Sequence, residues 1–309
     1  MLQLNNVSKQ FGDVTAVDDI SFSIEEGEVV GFLGPNGAGK TTTMEMVASL
    51  LDRTSGEITF NGKDVEEDPL NIKQNLGFLP EDNPLYEDML VSEYLDFAAD
   101  SKDLSGTERK QALNKAIEAT GIEDMYYKPI SEISRGYKQR VGLAQAIMHK
   151  PEILILDEPT QGLDPNQRVE IRDLIKDLGE DKTVILSTHV LPEATATCDR
   201  LIIIDQGKIV ADDSTEQLQN RTKSKSIVTL GTKGLEDKNK LIDEIEAIEK
   251  INHQEKIDED KDKFEIEAAQ EDIELEIFDL AAQQDWKIWE LHQEEFDLEH
   301  IFRDLTTES

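Results

Sequence analysis

Apolar residues in the first part of the chain come in short runs of β-formers, LQLNNVS (2–8), ISFSI (20–24) and EVVGFLG (28–34). A glycine-rich turn follows, and then a helical run, KTTTMEMVASLL (40–51). SGEITFNGKDV (55–65) reads as a hairpin turning at Asn61 and Gly62, a pair that readily takes positive φ. From about Ser92 to His149 the spacing becomes helical, in VSEYLDFAADSK, TERKQALNKAIEAT and YKQRVGLAQAIMHK. The last run carries Val141, Ala144, Ile147 and Met148 on one face, and Pro151 ends it. Strand patterns return at EILILDEP, TVILSTH and RLIIIDQGKIV, with the helical PNQRVEIRDLIKDLG among them. Strands alternating with helices predict a parallel α/β core that carries a helical insertion over about 82–150.

Beyond about residue 220 the pattern restarts. SIVTLG, KFEIEAA and WKIWELHQ read as strands, while LEDKNKLIDEIEAI (235–248), DIELEIFDLAAQQ and DLEHIFRDLT (297–306) read as helices. A further strand around KINHQEK (250–256) would complete the order β-α-β-β-α-β, a small ferredoxin-like α+β layer. Two domains are therefore expected, 1–220 and 221–309, the second with 12 basic and 26 acidic residues.

Composition narrows the function classes. The 309 residues include 67 acidic and 32 basic ones, a formal net charge of −35 that repels nucleic-acid backbones and anionic lipids. Cys198 is the lone cysteine, which rules out an intrachain disulfide and a thiolate metal cluster. The opening MLQLNNVSKQF has neither the basic flank nor the apolar core of a signal peptide. EILIL and RLIII are far shorter than the ~18 residues of a membrane span. A cytoplasmic protein without a span of its own is expected.

Candidate chemistry begins at GPNGAGKT, Gly34, Pro35, Asn36, Gly37, Ala38, Gly39, Lys40 and Thr41, followed by Thr42. It fits G-x-x-x-x-G-K-[ST] between a strand and a helix, where curled backbone N–H groups and the helix N-terminus cradle phosphate oxygens. Lys40 is expected at the β- and γ-phosphates of ATP and the Thr41 hydroxyl on Mg²⁺. ILILDEP ends an apolar strand in Asp157, a candidate Mg²⁺ ligand, and Glu158, a candidate for orienting or deprotonating the attacking water. His189 closes TVILSTH; parallel strand ends gather beside the phosphate loop, so this histidine is expected at the γ-phosphate. In ISEISRGYKQRVGL (130–143), Arg135, Lys138 and Arg140 surround Tyr137. Such a patch can serve nucleic acid, but the overall charge opposes that; Ser134 and Gly136 before a helix starting near Tyr137 suit an anion instead.

The ordered set of phosphate loop, ISRGY, LDEP, GLD (162–164) and His189 resembles the ATPases of ABC transporters, over about residues 2–220. ISRGY stands where that family has L-S-G-G-Q, with Ser134 and Gly136 retained, Arg135 at the first glycine and Tyr137 at the glutamine. The resemblance implies a P-loop NTPase fold: a RecA-like core, an N-terminal antiparallel β-subdomain and a helical insertion. It implies two copies packed head to tail, the phosphate loop of one and Ser134/Gly136 of the other enclosing each ATP. It also implies ATP hydrolysis that drives integral membrane permease subunits on another chain. Glu81, in GFLPEDNPLY, stands where the family carries a glutamine that contacts Mg²⁺ and water. Phe11 matches an aromatic that stacks on adenine, with a plain core role as the alternative. LGFLPEDNPLYEDMLVSEYLDFAA, SRGYKQRVGLAQAI and LDEPTQGLDPNQ look like the ATPases of ABC-2 type exporters, and more narrowly like gliding-motility-associated ones of Bacteroidetes-type bacteria. The ending FDLEHIFRDLT is similar to a C-terminal appendage of ABC-2 ATPases; dimer contact, regulation, salt tolerance and a merely solvated face all suit its acidity.

Overall fold

The protein is described here in a computed structural model, which covers residues 1–222, 226–233, 241, 244–245, 248–258, 261–268, 273–295, 300 and 302. Strands β1 (Leu2–Phe11) and β2 (Val14–Ile24) pair antiparallel, Leu2 opposite Ile24. Strand β3 (Val29–Leu33) leads into α1 (Lys40–Val47), and β4 (Ser55–Phe60) turns into the short β5 (Lys63–Asp64). At that turn Asn61 and Gly62 take φ of 50° and 75°, the left-handed pair the Asn-Gly dipeptide predicts. Helix α2 (Pro69–Asn75) and strand β6 (Leu76–Leu79) precede the helical part, α3 (Val91–Ser101), α4 (Gly106–Thr120) and α5 (Arg135–Ile147). Then come β7 (Ile153–Asp157), α6 (Pro165–Gly179), β8 (Thr183–Thr188), α7 (Leu191–Thr197), β9 (Arg200–Asp205) and β10 (Lys208–Ser214).

Two sheets organise this unit, Met1–Thr215 among the described residues. One is antiparallel, in the order β2-β1-β4-β5; the other runs β10-β9-β3-β8-β7-β6, parallel except for the edge strand β10. Strands β3, β7 and β8 are buried at every position, which is why they read as continuous apolar runs without alternation. Phe32, Ile155, Ile185 and Ile202 sit in one core with Met44 of α1, each apolar side chain worth about 1.5–3 kcal/mol on burial. The phosphate-loop turn thus leaves a rigid strand in the middle of the sheet.

Two features correct the sequence reading. Helix α5 starts at Arg135, ahead of the Tyr137 start expected, because the Ser134 hydroxyl caps it by accepting from the Tyr137 N–H at 3.3 Å. Strand β6 and helix α2 were not anticipated: α2 buries only Ile72, too little for a periodic signal.

The helical part is tied to β6 through His149, whose Nε2 lies 3.0 Å from the Leu76 carbonyl and 3.2 Å from Lys102 Nζ. Burial, with Lys102 adding, pulls the His149 pKa down to about 4. Because the folded value is depressed, this group's contribution to stability is complete above pH ~6.5 and fades as pH falls towards 4. Within that window wild type is expected to lose at most about 1.4 kcal/mol per pH unit relative to His149→Gln. Denaturant unfolding of both proteins at pH 7 and 4.5 checks this; parallel curves would refute it.

The second unit runs from Glu216 to Asp304, its start a few residues before the boundary at 220 expected from composition. Helix α8 (Thr215–Thr222) is followed by strands β11 (Ser226–Lys233), β12 (Ile248–Asp258), β13 (Lys261–Ala268), helix α9 (Ile273–Gln283) and β14 (Lys287–Glu295). The sheet is antiparallel throughout in the order β12-β13-β11-β14, which a split β-α-β-β-α-β arrangement produces. Val228, Leu230, Phe264 and Ile266 of the sheet share a core with Ile273 and Ile277 of α9. The helices expected at 235–248 and 297–306 lie largely outside the described residues.

Candidate nucleotide site

At the carboxyl end of β3 the chain turns through Gly34–Gly39 into α1. Gly37 and Gly39 take φ of 83° and 107°, and a Cβ on Gly39 would come within 2.6 Å of the Ala16 carbonyl. A Cβ on Gly34 would collide with the Ile204 carbonyl. Glycine is therefore required at 34 and 39 by close backbone approach, whereas Gly37 faces open space and needs only its φ. The loop borders a cleft of about 280 Å³ lined by Ala16, Asn36, Gly37, Gly39, Lys40, Thr41, Thr42, Glu81 and Glu158. Gly34, Pro35 and Ala38 shape the turn without lining that cleft.

Lys40 is almost wholly buried, and its Nζ donates to the carbonyls of Gly34 at 2.8 Å and Pro35 at 3.2 Å. The same ammonium lies 3.4 Å from Glu158 Oε1, and His189 Nδ1 approaches that oxygen at 2.9 Å. One carboxylate is thus held between Lys40 and His189. Glu158 takes φ of 47°, an uncommon conformation for a residue with a side chain. Its N–H is fixed by the Ser187 carbonyl at 3.1 Å and hydroxyl at 3.2 Å, so β8 holds the strained turn after β7.

Asp157, 1% exposed, accepts from the Ser187 hydroxyl, and the Thr41 hydroxyl faces it. Burial pushes its carboxyl above the ordinary value; those hydroxyls and Lys40 oppose the shift, and the negative charge of Glu81 adds to it. Its Oδ2 is buried without a hydrogen-bond partner, an orphaned acceptor in the residue that the Thr41 hydroxyl faces. A hydroxyl and a carboxylate oxygen are hard donors of the kind Mg²⁺ takes beside phosphate oxygens, so the residues fit that ion. Glu81 Oε1 accepts from Gln161 Nε2 at 2.9 Å, which links the loop after β6 to the loop after Glu158.

Two expected groups stand apart from the cleft. Ser134 is exposed at the start of α5, and Gly136 behind it is pressed on Gln167, whose Cδ would lie 2.8 Å from a Cβ there. Phe11 is 48% exposed at the end of β1 with Lys9 Nζ 4.9 Å from its ring centroid, so it is not a core residue. Sequence reasoning missed Ala16, Ser187 and Gln161. Gln161, beside GLD, and Ser187, within TVILSTH, had motifs near enough to draw attention.

With this geometry in hand, the comparisons with known proteins agree. The ABC transporter family profile matches residues 17–161. The chain is 38% identical to the linearmycin resistance ATP-binding protein LnrL of Bacillus subtilis over 77% of this chain and 76% of that one. It is 33% identical to the uncharacterized ABC transporter ATP-binding protein YhaQ of Bacillus subtilis over 90% of this chain and 89% of that one. That alignment, 279 residues long, necessarily extends into the second unit. Among solved structures, the dimeric MJ0796, a bacterial ABC transporter cassette, superposes with a TM-score of 0.64 at 26% identity, covering 70% of this chain and 99% of that one. A post-hydrolysis state of the same cassette, bound to ADP and Pi, gives 0.63 at 26% identity over the same shares. Its sequence relatives and its fold agree, and this chain belongs to the ABC transporter family as an ATP-binding subunit with ATPase activity.

Proposed function

We propose that two copies of this chain close head to tail around two Mg-ATP and hydrolyse them to drive separate membrane permease subunits, as the ATPase of an ABC-2 type exporter. The observation that carries this reading is the split between an inward set, Lys40 and Glu158 lining one cleft with His189 on Glu158, and an outward Ser134, exposed at the start of α5 and apart from that cleft. A second copy supplies what that outward serine lacks: a nucleotide held from the other side. The dimeric cassette of MJ0796 supports the arrangement.

In this mechanism the backbone N–H groups of 36–41 hold the phosphates and Lys40 neutralises the terminal ones. Glu158 takes the proton of the attacking water, His189 orients Glu158 through Nδ1 and lies beside the γ-phosphate, and Phe11 stacks on adenine. Thr41, Asp157 and Glu81 would hold the Mg²⁺, which would supply positive charge against the phosphates. Ser134 and Gly136 of the partner copy cover the γ-phosphate.

Among the described residues no helix is long and apolar enough to cross a membrane, so the reading assigns transport to another chain and attaches this one to the inner membrane face through it. The resistance named in LnrL and the description of YbhF of Escherichia coli as a probable multidrug ABC transporter ATP-binding protein support export. The gliding-motility likeness rests on the sequence stretches alone. The acidic second unit is read as an accessory domain of the same ATPase.

The test is to trap Glu158→Gln with ATP in its own cells, solubilise the membranes gently and identify what co-purifies. A stoichiometric multi-span membrane protein is expected. Recovery with ribosomes, with DNA-bound proteins or with no membrane protein would overturn the transport reading in favour of a soluble ABC ATPase.

A further inference from the structure

The first unit contains seven arginines, in a chain with more than twice as many acidic as basic residues. Arg53, Arg109, Arg140, Arg168, Arg172 and Arg200 each have a carboxylate within 3.9 Å. Arg135 has none and makes no side-chain hydrogen bond among the described residues, although it is exposed and acidic side chains are abundant. Its basic neighbours behave differently: Lys138 pairs with Glu87 and Arg140 with Glu170. The cluster that looked like a single patch in the sequence is one free guanidinium beside two neutralised cations.

That guanidinium is not loose. It lies on Gly162, where a Cβ would come within 2.5 Å of its Cζ and 2.9 Å of its Nη2. Gly162 also takes φ of 70°, so the absence of a side chain serves both the turn and the arginine resting on it. A planar cation seated on backbone, next in sequence to the outward Ser134 and left without a carboxylate, is pre-organised for an anion from outside the chain.

We propose that Arg135 is a catalytic residue supplied in trans, its guanidinium binding the terminal phosphate of the ATP held by the partner copy. The inference rests on the head-to-tail reading above. A glycine at this position offers only an N–H; arginine adds a full charge and a fork that matches two phosphate oxygens. Lys40 reaches the terminal phosphates from within its own cleft, and Arg135 meets the same charge from the opposite side, where it spreads over the oxygens in the transition state.

The experiment compares Glu158→Gln with Glu158→Gln/Arg135→Ala and Glu158→Gln/Arg135→Lys as full-length proteins. Light scattering follows dimer formation against ATP concentration, and calorimetry gives the ADP affinity of the monomer. Removing Arg135 should raise the ATP concentration needed for dimerisation about 10- to 100-fold and leave ADP binding unchanged, with lysine restoring part of the loss. An unchanged dimerisation midpoint in the Arg135→Ala double variant overturns the role of Arg135 and leaves the dimer standing. Weaker ADP binding by the monomer, or no rescue by lysine, assigns Arg135 to support of Gly162 within its own chain and likewise overturns the proposal. If Glu158→Gln itself stays monomeric at saturating ATP, the head-to-tail reading falls and this inference falls with it.

Discussion

Glu158→Gln is expected to lower the rate of ATP hydrolysis by about 10²- to 10⁴-fold, the range set by loss of a general base. ATP affinity should hold or rise. The amide is isosteric, still offers Lys40 an acceptor where the carboxylate oxygen stood at 3.4 Å, and removes one negative charge from a cleft built to hold a triphosphate. The left-handed turn at residue 158 should persist, because it is pinned by the Ser187 carbonyl and hydroxyl and not by the side chain that changes. His189→Ala should be milder, since it removes the 2.9 Å contact that orients Glu158 and leaves the carboxylate itself. Single-turnover hydrolysis and equilibrium nucleotide binding, measured on the same preparations, separate the two effects. Hydrolysis by Glu158→Gln within about threefold of wild type would remove Glu158 from the role of base.

The elements that carry this chemistry were legible because their signals are local. Glycines at 34, 37 and 39 followed by Lys40 specify a turn whose backbone tolerates few other residues, and ILILD is apolar at each position before Asp157 because β7 is buried on both faces. His189 followed from topology, since parallel strands bring their carboxyl ends together. What could not be read is which side chains meet across those ends. Nothing local to Ser187 says that it fixes both Asp157 and the backbone of Glu158. Nothing near Glu81 says that Gln161 donates to it. Such contacts depend on strand register and loop height, which residues 30 or 80 positions apart do not encode by spacing. Strand β6 escaped for a related reason: four residues before Pro80 give no periodicity, and they are strand because β7 offers a parallel partner from Leu76–Ile153 onward. The basic cluster at 135–140 misled in the opposite sense, since charge in a sequence does not show which cations are already paired.

Lys40→Met is expected to cost about 100-fold or more in ATP affinity and to abolish measurable hydrolysis, because charge-assisted contacts to phosphate are each worth about 1.5–3 kcal/mol. Methionine keeps the aliphatic stem in its buried channel, so the change isolates the ammonium. The same substitution should lower fold stability by about 1–3 kcal/mol, since the carbonyls of Gly34 and Pro35 lose their donor and buried Glu158 loses its ammonium neighbour. ADP affinity should fall less than ATP affinity if the ammonium serves the terminal phosphate. Equal losses for the two nucleotides would confine Lys40 to the β-phosphate. Calorimetric titration with ATP and ADP, alongside denaturant unfolding, reads all three quantities. The asymmetry arises from the charge left behind: without Lys40 the cleft loses its lining cation and retains the carboxylates of Glu81 and Glu158, with Asp157 buried close by. A site of that composition repels a triphosphate before any individual contact is considered, and the repulsion grows with each phosphate the nucleotide carries.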